Sequence, residues 1–254
     1  MTAEQSRPAP AFPTIRTVEI EQPLAWLRRG WGDLLSCPFA SLFYGICFVG
    51  GGALMVLALG GAPEYIAAVT SGFLIGGPFF AIGLYEISRR REKGQPCSLG
   101  PTLMAWKGNA GNLGIFTAIL LVIFLVWARA SMVVFALFYS GEMPTMSGFL
   151  RHVVSTDHLG FLAAYFAVGG LFALIAFAIS LIAIPLMLDR GHDAITAAIA
   201  SVRALFMNPA PMFVWAGLIA LLGGLGLVTF LAGMVLIGPV LGHATWHAYR
   251  DLVE

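Results

Sequence analysis

Apolar positions in this chain form long unbroken runs, with none of the alternation that marks a half-buried strand. No residue is charged in 34–63, 65–85, 108–128, 159–188 or 204–249. A helix needs about 20 apolar residues to cross the hydrocarbon core of a bilayer, so each of the first four runs holds one crossing. The fifth, drawn out as a single helix, would reach about 69 Å at ~1.5 Å per residue, more than twice the core. It must fold back, and Gly223-Gly224-Leu225-Gly226 is the expected turn. The pattern predicts an all-α membrane protein with six transmembrane helices, at about 38–59, 65–88, 109–133, 160–188, 209–223 and 227–249.

Three shorter stretches carry apolar residues on one helical face only. In Gln22–Ser36, Leu24, Leu27, Trp31, Leu34 and Leu35 recur at helical spacing, with Arg28, Arg29 and Asp33 between them. Ser98–Lys107 places Leu99, Leu103 and Trp106 together. Asp193 is positioned to cap a helix in which Ile195, Ile199, Val202 and Leu205 share a face. These read as helices lying in the membrane interface. Met1–Glu21 is polar and proline-containing, without the apolar core of a signal peptide, and is expected to be a disordered cytoplasmic tail. Residues 22–254 then form a single polytopic domain.

Charge orients these elements. The second span ends in Arg89, Arg90, Arg91 and Lys93, and basic flanks are retained on the cytoplasmic side. With that end inside, twelve of fourteen Lys and Arg fall on the cytoplasmic side; Arg151 lies in the external loop Ser140–His158 and Arg129 within the third span. Both termini are therefore expected in the cytoplasm of a cell whose cytoplasmic (inner) membrane holds the protein. The chain is 59% hydrophobic and 11% charged, against roughly 25% charged in a soluble domain. Its formal net charge of +1 argues against nucleic acid as a partner. Cys37, Cys47 and Cys97 lack paired spacing and are expected to be reduced, without disulfide or zinc site.

An internal kinship is visible. Gly77-Pro78, Tyr85-Glu86 and Arg89 recur as Gly238-Pro239, Trp246-His247 and Arg250 at identical offsets; Ile184-Pro185 sits similarly in the fourth span, and Pro38 and Pro209 each open a span. Three repeats of interfacial helix plus membrane hairpin, 22–93, 95–190 and 192–250, account for this.

Four constellations carry candidate chemistry. Arg129, inside a span, costs roughly 2.5–3.5 kcal/mol at mid-depth on insertion scales; it either contacts an anion or substrate, or snorkels outward to pair with Glu142 or Asp157. His243 and His247, four apart, share a face and suit either a metal or haem contact or a structural role. Met143, Met146, His152 and His158 in the external loop are donors that suit copper, in no fixed motif. Glu86, Arg89, Asp189, Arg190 and Arg250 gather at cytoplasmic span ends as an ion-pair collar or a relay. Gly72-x-x-x-Gly76 and Gly238-x-x-x-Gly242 read as close-packing surfaces. No nucleophile-base pair, nucleotide loop or complete metal site is present, so no catalytic residue and no cofactor are expected, and the chain does not read as an enzyme.

The segments Trp26-Leu-Arg-Arg-Gly-Trp31, Ser41-Leu-Phe-Tyr-Gly45, Gly76-Gly-Pro-Phe-Phe-Ala-Ile-Gly-Leu-Tyr-Glu-Ile-Ser-Arg-Arg90 and Ile184-Pro-Leu-Met-Leu-Asp-Arg190 resemble the bacterial integral membrane family called domain of unknown function 2189. The resemblance implies a bacterial membrane protein of unassigned activity. Some members carry a cytochrome c oxidase subunit label, which implies an accessory or assembly component, since the catalytic subunit's six histidine ligands are missing. Two function classes remain: a non-catalytic scaffold, accessory or assembly component whose partners are the lipid bilayer and other membrane subunits, and a small permease or channel with a polar path at Arg129.

Overall fold

The structure is a computed structural model of the 254-residue chain, and it describes residues 12–61, 81–138, 159–229 and 231–254. Its elements, in chain order, are α1 (Gln22–Ser36), α2 (Pro38–Gly61), α3 (residues 81–92), α4 (Leu99–Leu103), a 3-10 turn (Ala105–Asn109), α5 (Ala110–Phe138), α6 (Leu159–Ser180), α7 (Ala183–Arg190), α8 (Ala194–Met207), α9 (Pro209–Val228) and α10 (Met234–Leu252). Among the described residues no strand forms beyond one isolated bridge, Ile15 with Val253. The chain divides into two compact units, one of residues up to Thr117 with Ala178–Glu254, the other Ala118–Phe177.

Among the described residues three helical segments, Leu99–Phe138, Leu159–Arg190 and Pro209–Gly226, are long and apolar enough to cross a membrane. A fourth is added if Gln22–Ser36 and Pro38–Leu54, which meet at 108°, are taken as one. That bend separates a helix with charges on it from one without. Most of the second predicted span, the Gly72 and Gly76 positions and the loop holding Met143, Met146, His152 and His158 lie outside the described residues.

Four expectations are corrected. The turn assigned to Gly223-Gly226 lies further on: α9 continues through these glycines, and the chain reverses at 229–233. There the Thr229 hydroxyl donates to the Gly226 carbonyl (2.9 Å) and accepts from the Gly233 amide (2.8 Å), with Leu231 at φ 68°. Gly226 lies against the Met234 side chain as α10 returns. The predicted fourth span, within Leu159–Arg190, keeps the length and apolarity to cross but is not one continuous helix, being broken at 181–182. Pro185 has no N–H to offer the Leu181 carbonyl, and the Ile182 amide leaves the helix to bond Ser201 Oγ on α8 at 3.1 Å.

The described part of the tail is the third, residues 1–11 lying outside the described residues. Residues 12–21 are tied to the end of the chain: the Arg16 amide donates to the Leu252 carbonyl (2.8 Å) and the Glu254 amide to the Thr14 carbonyl (3.1 Å). Asn208 holds the same stretch, accepting from the Val18 amide at 2.8 Å and donating to the Arg16 carbonyl at 3.0 Å. The cysteines are the fourth. Cys37 and Cys97 are disulfide-bonded with Cα atoms 5.8 Å apart, and Cys47 alone is a free thiol. Sixty residues separate the pair in sequence, so spacing gave no sign that the elbow between α1 and α2 would meet the loop after α3.

Close helix packing in the first unit depends on missing side chains. A Cβ on Gly30 of α1 would lie 2.7 Å from both the Ala244 nitrogen and the Val240 oxygen of α10. Gly45 of α2 sits against the Val235 carbonyl of α10, where a Cβ would be 2.9 Å from the carbonyl carbon. That carbonyl is the one Pro239 leaves without its helical donor, so the bare Gly45 backbone covers an oxygen the ladder cannot serve. Asp193 caps α8 as expected, accepting from the Ile195 and Thr196 amides at 3.0 and 2.9 Å. The alanine face of α8 is buried (Ala194, Ala197, Ala200, Ala204), together with Leu205, while Ile195, Ile199 and Phe206 point outward.

Candidate functional site

The elements of the first unit converge on a buried group of polar side chains. Asp33 comes from the inner face of α1, which it shares with Trp26, Gly30 and Leu34. Ser41 lies one turn into α2, Ser88 on α3, and His243 and His247 on successive turns of α10. Ser41 and His243 are fully buried, Asp33 and Ser88 nearly so. Burial of so many polar groups is tolerated only if each finds a partner.

The hydrogen bonds form one chain. Ser88 Oγ donates to Asp33 Oδ2 at 2.5 Å. Its oxygen is then free to accept, so the proton of His243 belongs on Nδ1, 2.8 Å away. His243 Nε2 in turn accepts from Ser41 Oγ at 2.9 Å. His247 Nε2 bonds Asp33 Oδ2 at 3.0 Å, and Arg91 pairs with Asp33 Oδ1 from the half-exposed end of α3. One carboxylate thus receives a hydroxyl, an imidazole and a guanidinium, and both nitrogens of His243 are spent on hydroxyls.

Ser41 and His243 stand at the distance of a nucleophile and its base, yet neither has any exposed surface through which a substrate could meet them. The histidine pair does not converge on a shared metal position, since His243 faces two serines and His247 faces Asp33. Among the described residues no group of three or more His, Cys, Asp or Glu is arranged to hold a metal. The geometry is that of a polar lock joining four helices.

A second carboxylate, at the end of α10, ties that helix to the first two turns of α1. Asp251 accepts from Gln22 Nε2 (2.7 Å) and Trp26 Nε1 (2.8 Å) and pairs with Arg29. Burial alone would raise the Asp251 carboxyl, but the hydrogen bonds from Arg29, Gln22 and Trp26 outweigh it and hold the group below the usual carboxylate range. A depressed folded value means stability present at neutral pH and lost as pH falls below about 4 through that value. Asp251→Asn is therefore expected to melt lower than wild type at pH 7, by roughly 1 kcal/mol for a partly exposed charged hydrogen bond. The difference should shrink towards pH 3 in thermal unfolding scans.

The collar residues are brought together as pairs. Arg89 Nε bonds Glu86 at 2.7 Å; Arg250 reaches Asp189 at 3.7 Å and Glu92 at 3.2 Å; Tyr249 donates to Asp189 at 2.8 Å and accepts from Arg190 at 3.2 Å. Beside them a cavity of about 180 Å³ is lined by Arg89, Asn109, Met187, Leu188 and Gly191 among others. Asn109 Nδ2 spans it to the Met187 and His192 carbonyls at 3.1 and 2.9 Å. Arg129 is exposed on α5, and its expected partners Glu142 and Asp157 lie outside the described residues.

Sequence reasoning found the two histidines and missed Asp33, Ser41, Ser88 and Arg91. Only Asp33 carried a signal, sharing a helical face with Trp26 and Gly30 at seven and three residues' distance. Asp33 looked like part of the charged side because Arg28 and Arg29 stand near it.

An all-helical chain with several apolar helices of membrane-crossing length, its polar residues drawn into one packed unit, is an integral membrane protein. Residues 66–189 match the family model described as "Predicted integral membrane protein (DUF2189)". The match includes Ser88, Arg91 and the collar residues Glu86, Arg89 and Asp189, and ends before α10. Comparison with curated proteins and with solved structures finds no match.

Proposed function

We propose that this protein is a non-catalytic component of the bacterial inner membrane, a scaffold, accessory or assembly subunit with six crossings and both termini in the cytoplasm. The observation that carries this reading is the mutual saturation of Asp33, Ser41, Ser88, Arg91, His243 and His247. A permeation path keeps polar groups available to its cargo, whereas these serve one another. The resemblance to a family with oxidase-labelled members makes a respiratory oxidase the first partner to seek.

Arg129 supports a docking role. It lies on a helix whose apolar face is almost wholly uncovered, with Val122, Leu125, Val126, Met132 and Val133 all exposed, and an arginine at that level favours an acidic side chain on a neighbouring transmembrane helix. Purification in mild detergent should recover stoichiometric membrane subunits with wild type, and Arg129→Gln should lose them at unchanged expression and melting temperature. A lone protein that is stabilised by a small solute, with Arg129→Gln abolishing that effect, would replace this reading by the permease.

A further inference from the structure

We propose that Cys37 and Cys97 are a reversible thiol–disulfide pair that exchanges with small disulfides of the cytoplasm, Cys97 reacting first and Cys37 resolving. The orientation in this statement rests on the proposed function above. The order of reaction rests on the structure of the pair alone.

The two sulfurs meet at a place where a disulfide is chemically out of keeping. Cys97 ends the loop that follows Arg89, Arg90, Arg91 and Lys93, the basic cluster that sets the cytoplasmic side. Cytoplasmic thiols are kept reduced, and disulfides found there are transient or regulatory. Yet the Cα atoms stand 5.8 Å apart, the separation at which a disulfide closes without moving the backbone. The pair can therefore close and reopen with no rearrangement of the fold around it.

Their surroundings are unequal. Cys37 is 3% exposed, packed among Ala40, Tyr44, Leu84 and Ile87. Cys97 is half-buried in a stretch whose other members, Lys93 to Pro96 and Ser98, are all exposed. A soluble disulfide RSSR can reach only Cys97. Its thiolate attacks one sulfur, giving a mixed disulfide on Cys97 and releasing one RSH. Cys37, having lost its proton, then attacks the Cys97 sulfur and releases the second RSH. In sum, two protein thiols and RSSR become one protein disulfide and two RSH, the protein losing two electrons and two protons to the small disulfide.

The bond bears on the polar lock. Cys37 sits between Asp33 and Ser41, its amide donating to the Asp33 carbonyl at 3.0 Å and its carbonyl accepting from the Ser41 amide at 3.1 Å. Oxidation ties the elbow that presents both residues to the loop just beyond Arg91, which pairs with Asp33. Reduction releases that tie and leaves the lock to its hydrogen bonds.

The test uses full-length protein in membranes with Cys47→Ser throughout. After treatment with glutathione disulfide, the Cys37→Ser variant should retain one glutathione on Cys97, and the Cys97→Ser variant should retain none on Cys37, read by intact mass. The protein with both thiols should close to the disulfide, reopen with reduced glutathione, and melt several degrees lower when open. Glutathione trapped on Cys37, or a bond that glutathione neither makes nor breaks in folded protein, would overturn the proposal. Sidedness is read separately with a membrane-impermeant maleimide on the reduced pair. Labelling of Cys97 in inverted vesicles supports the cytoplasmic placement. Labelling in intact cells instead overturns the orientation and the choice of a cytoplasmic disulfide as reactant, whatever the trapping experiment shows about order.

Discussion

Asp33→Ala should cost the folded protein about 3–5 kcal/mol, the range for removing one partner of a buried, hydrogen-bonded charge. The substitution strips His247, Ser88 and Arg91 of their common acceptor at once. Arg91 can turn to water, because its side chain is 43% exposed, so the loss falls chiefly on the two groups that cannot: Ser88 and His247. His243 follows, since the hydroxyl that orients it no longer has a carboxylate to donate to. A melting temperature far below wild type, or no recoverable protein in mild detergent, is expected. Asp33→Asn keeps the shape and one acceptor and should fall between the two. Melting of Asp33→Ala at the wild-type temperature would mean that the packing of α1 on α10 needs no polar lock.

Gly45→Val should be comparably damaging for an unrelated reason. Added side-chain volume meets backbone at this position, the carbonyl carbon of Val235 at 2.9 Å and its Cα at 3.0 Å, and backbone has nowhere to rotate. The helices must separate, which removes the cover from the Val235 oxygen and lengthens the neighbouring contact between Ser41 and His243. Overpacking typically costs 1–3 kcal/mol and more where the backbone is the obstacle, so about 3 kcal/mol is a reasonable expectation. Gly50→Val on the same helix is the control, because a Cβ there meets nothing within 4 Å. Equal melting temperatures for the two variants would refute the close approach of α2 and α10.

The parts of this molecule that could be read from sequence are those set by the solvent. Hydrocarbon demands apolar runs of a minimum length, and α2, α5, α6 and α9 stand where such runs stand. Prolines were legible as punctuation but not as outcome: Pro185 accompanies a break between α6 and α7, while Pro239 is carried inside α10, where Gly45 covers the carbonyl it frees. The glycines near 223–226 looked like a turn because that is what glycine most often marks in a polar context. Among apolar residues they continue the helix, a Cβ on Gly223 or Gly224 meeting nothing within 4 Å, and the reversal waits for Thr229, whose hydroxyl serves as both donor and acceptor.

Two of the six residues of the site were visible and four were not. His243 and His247 belong to one helix, so their common face follows from a spacing of four. Their partners come from three other elements, up to 214 residues away, and no periodicity relates a serine on α3 to an aspartate on α1. The same is true of Cys37 and Cys97. The fixed pairings of this fold lie between elements, which one-dimensional pattern reading does not reach.

Ile15 bridges Val253, and the backbone around them is hydrogen-bonded in both directions. The bridge holds the stretch before α1 against the end of α10, so the two flanks of the helical unit lie together. On the proposed reading of six crossings, that requires both flanks to lie on one side of the bilayer, and labels placed on the two stretches should be accessible from the same compartment.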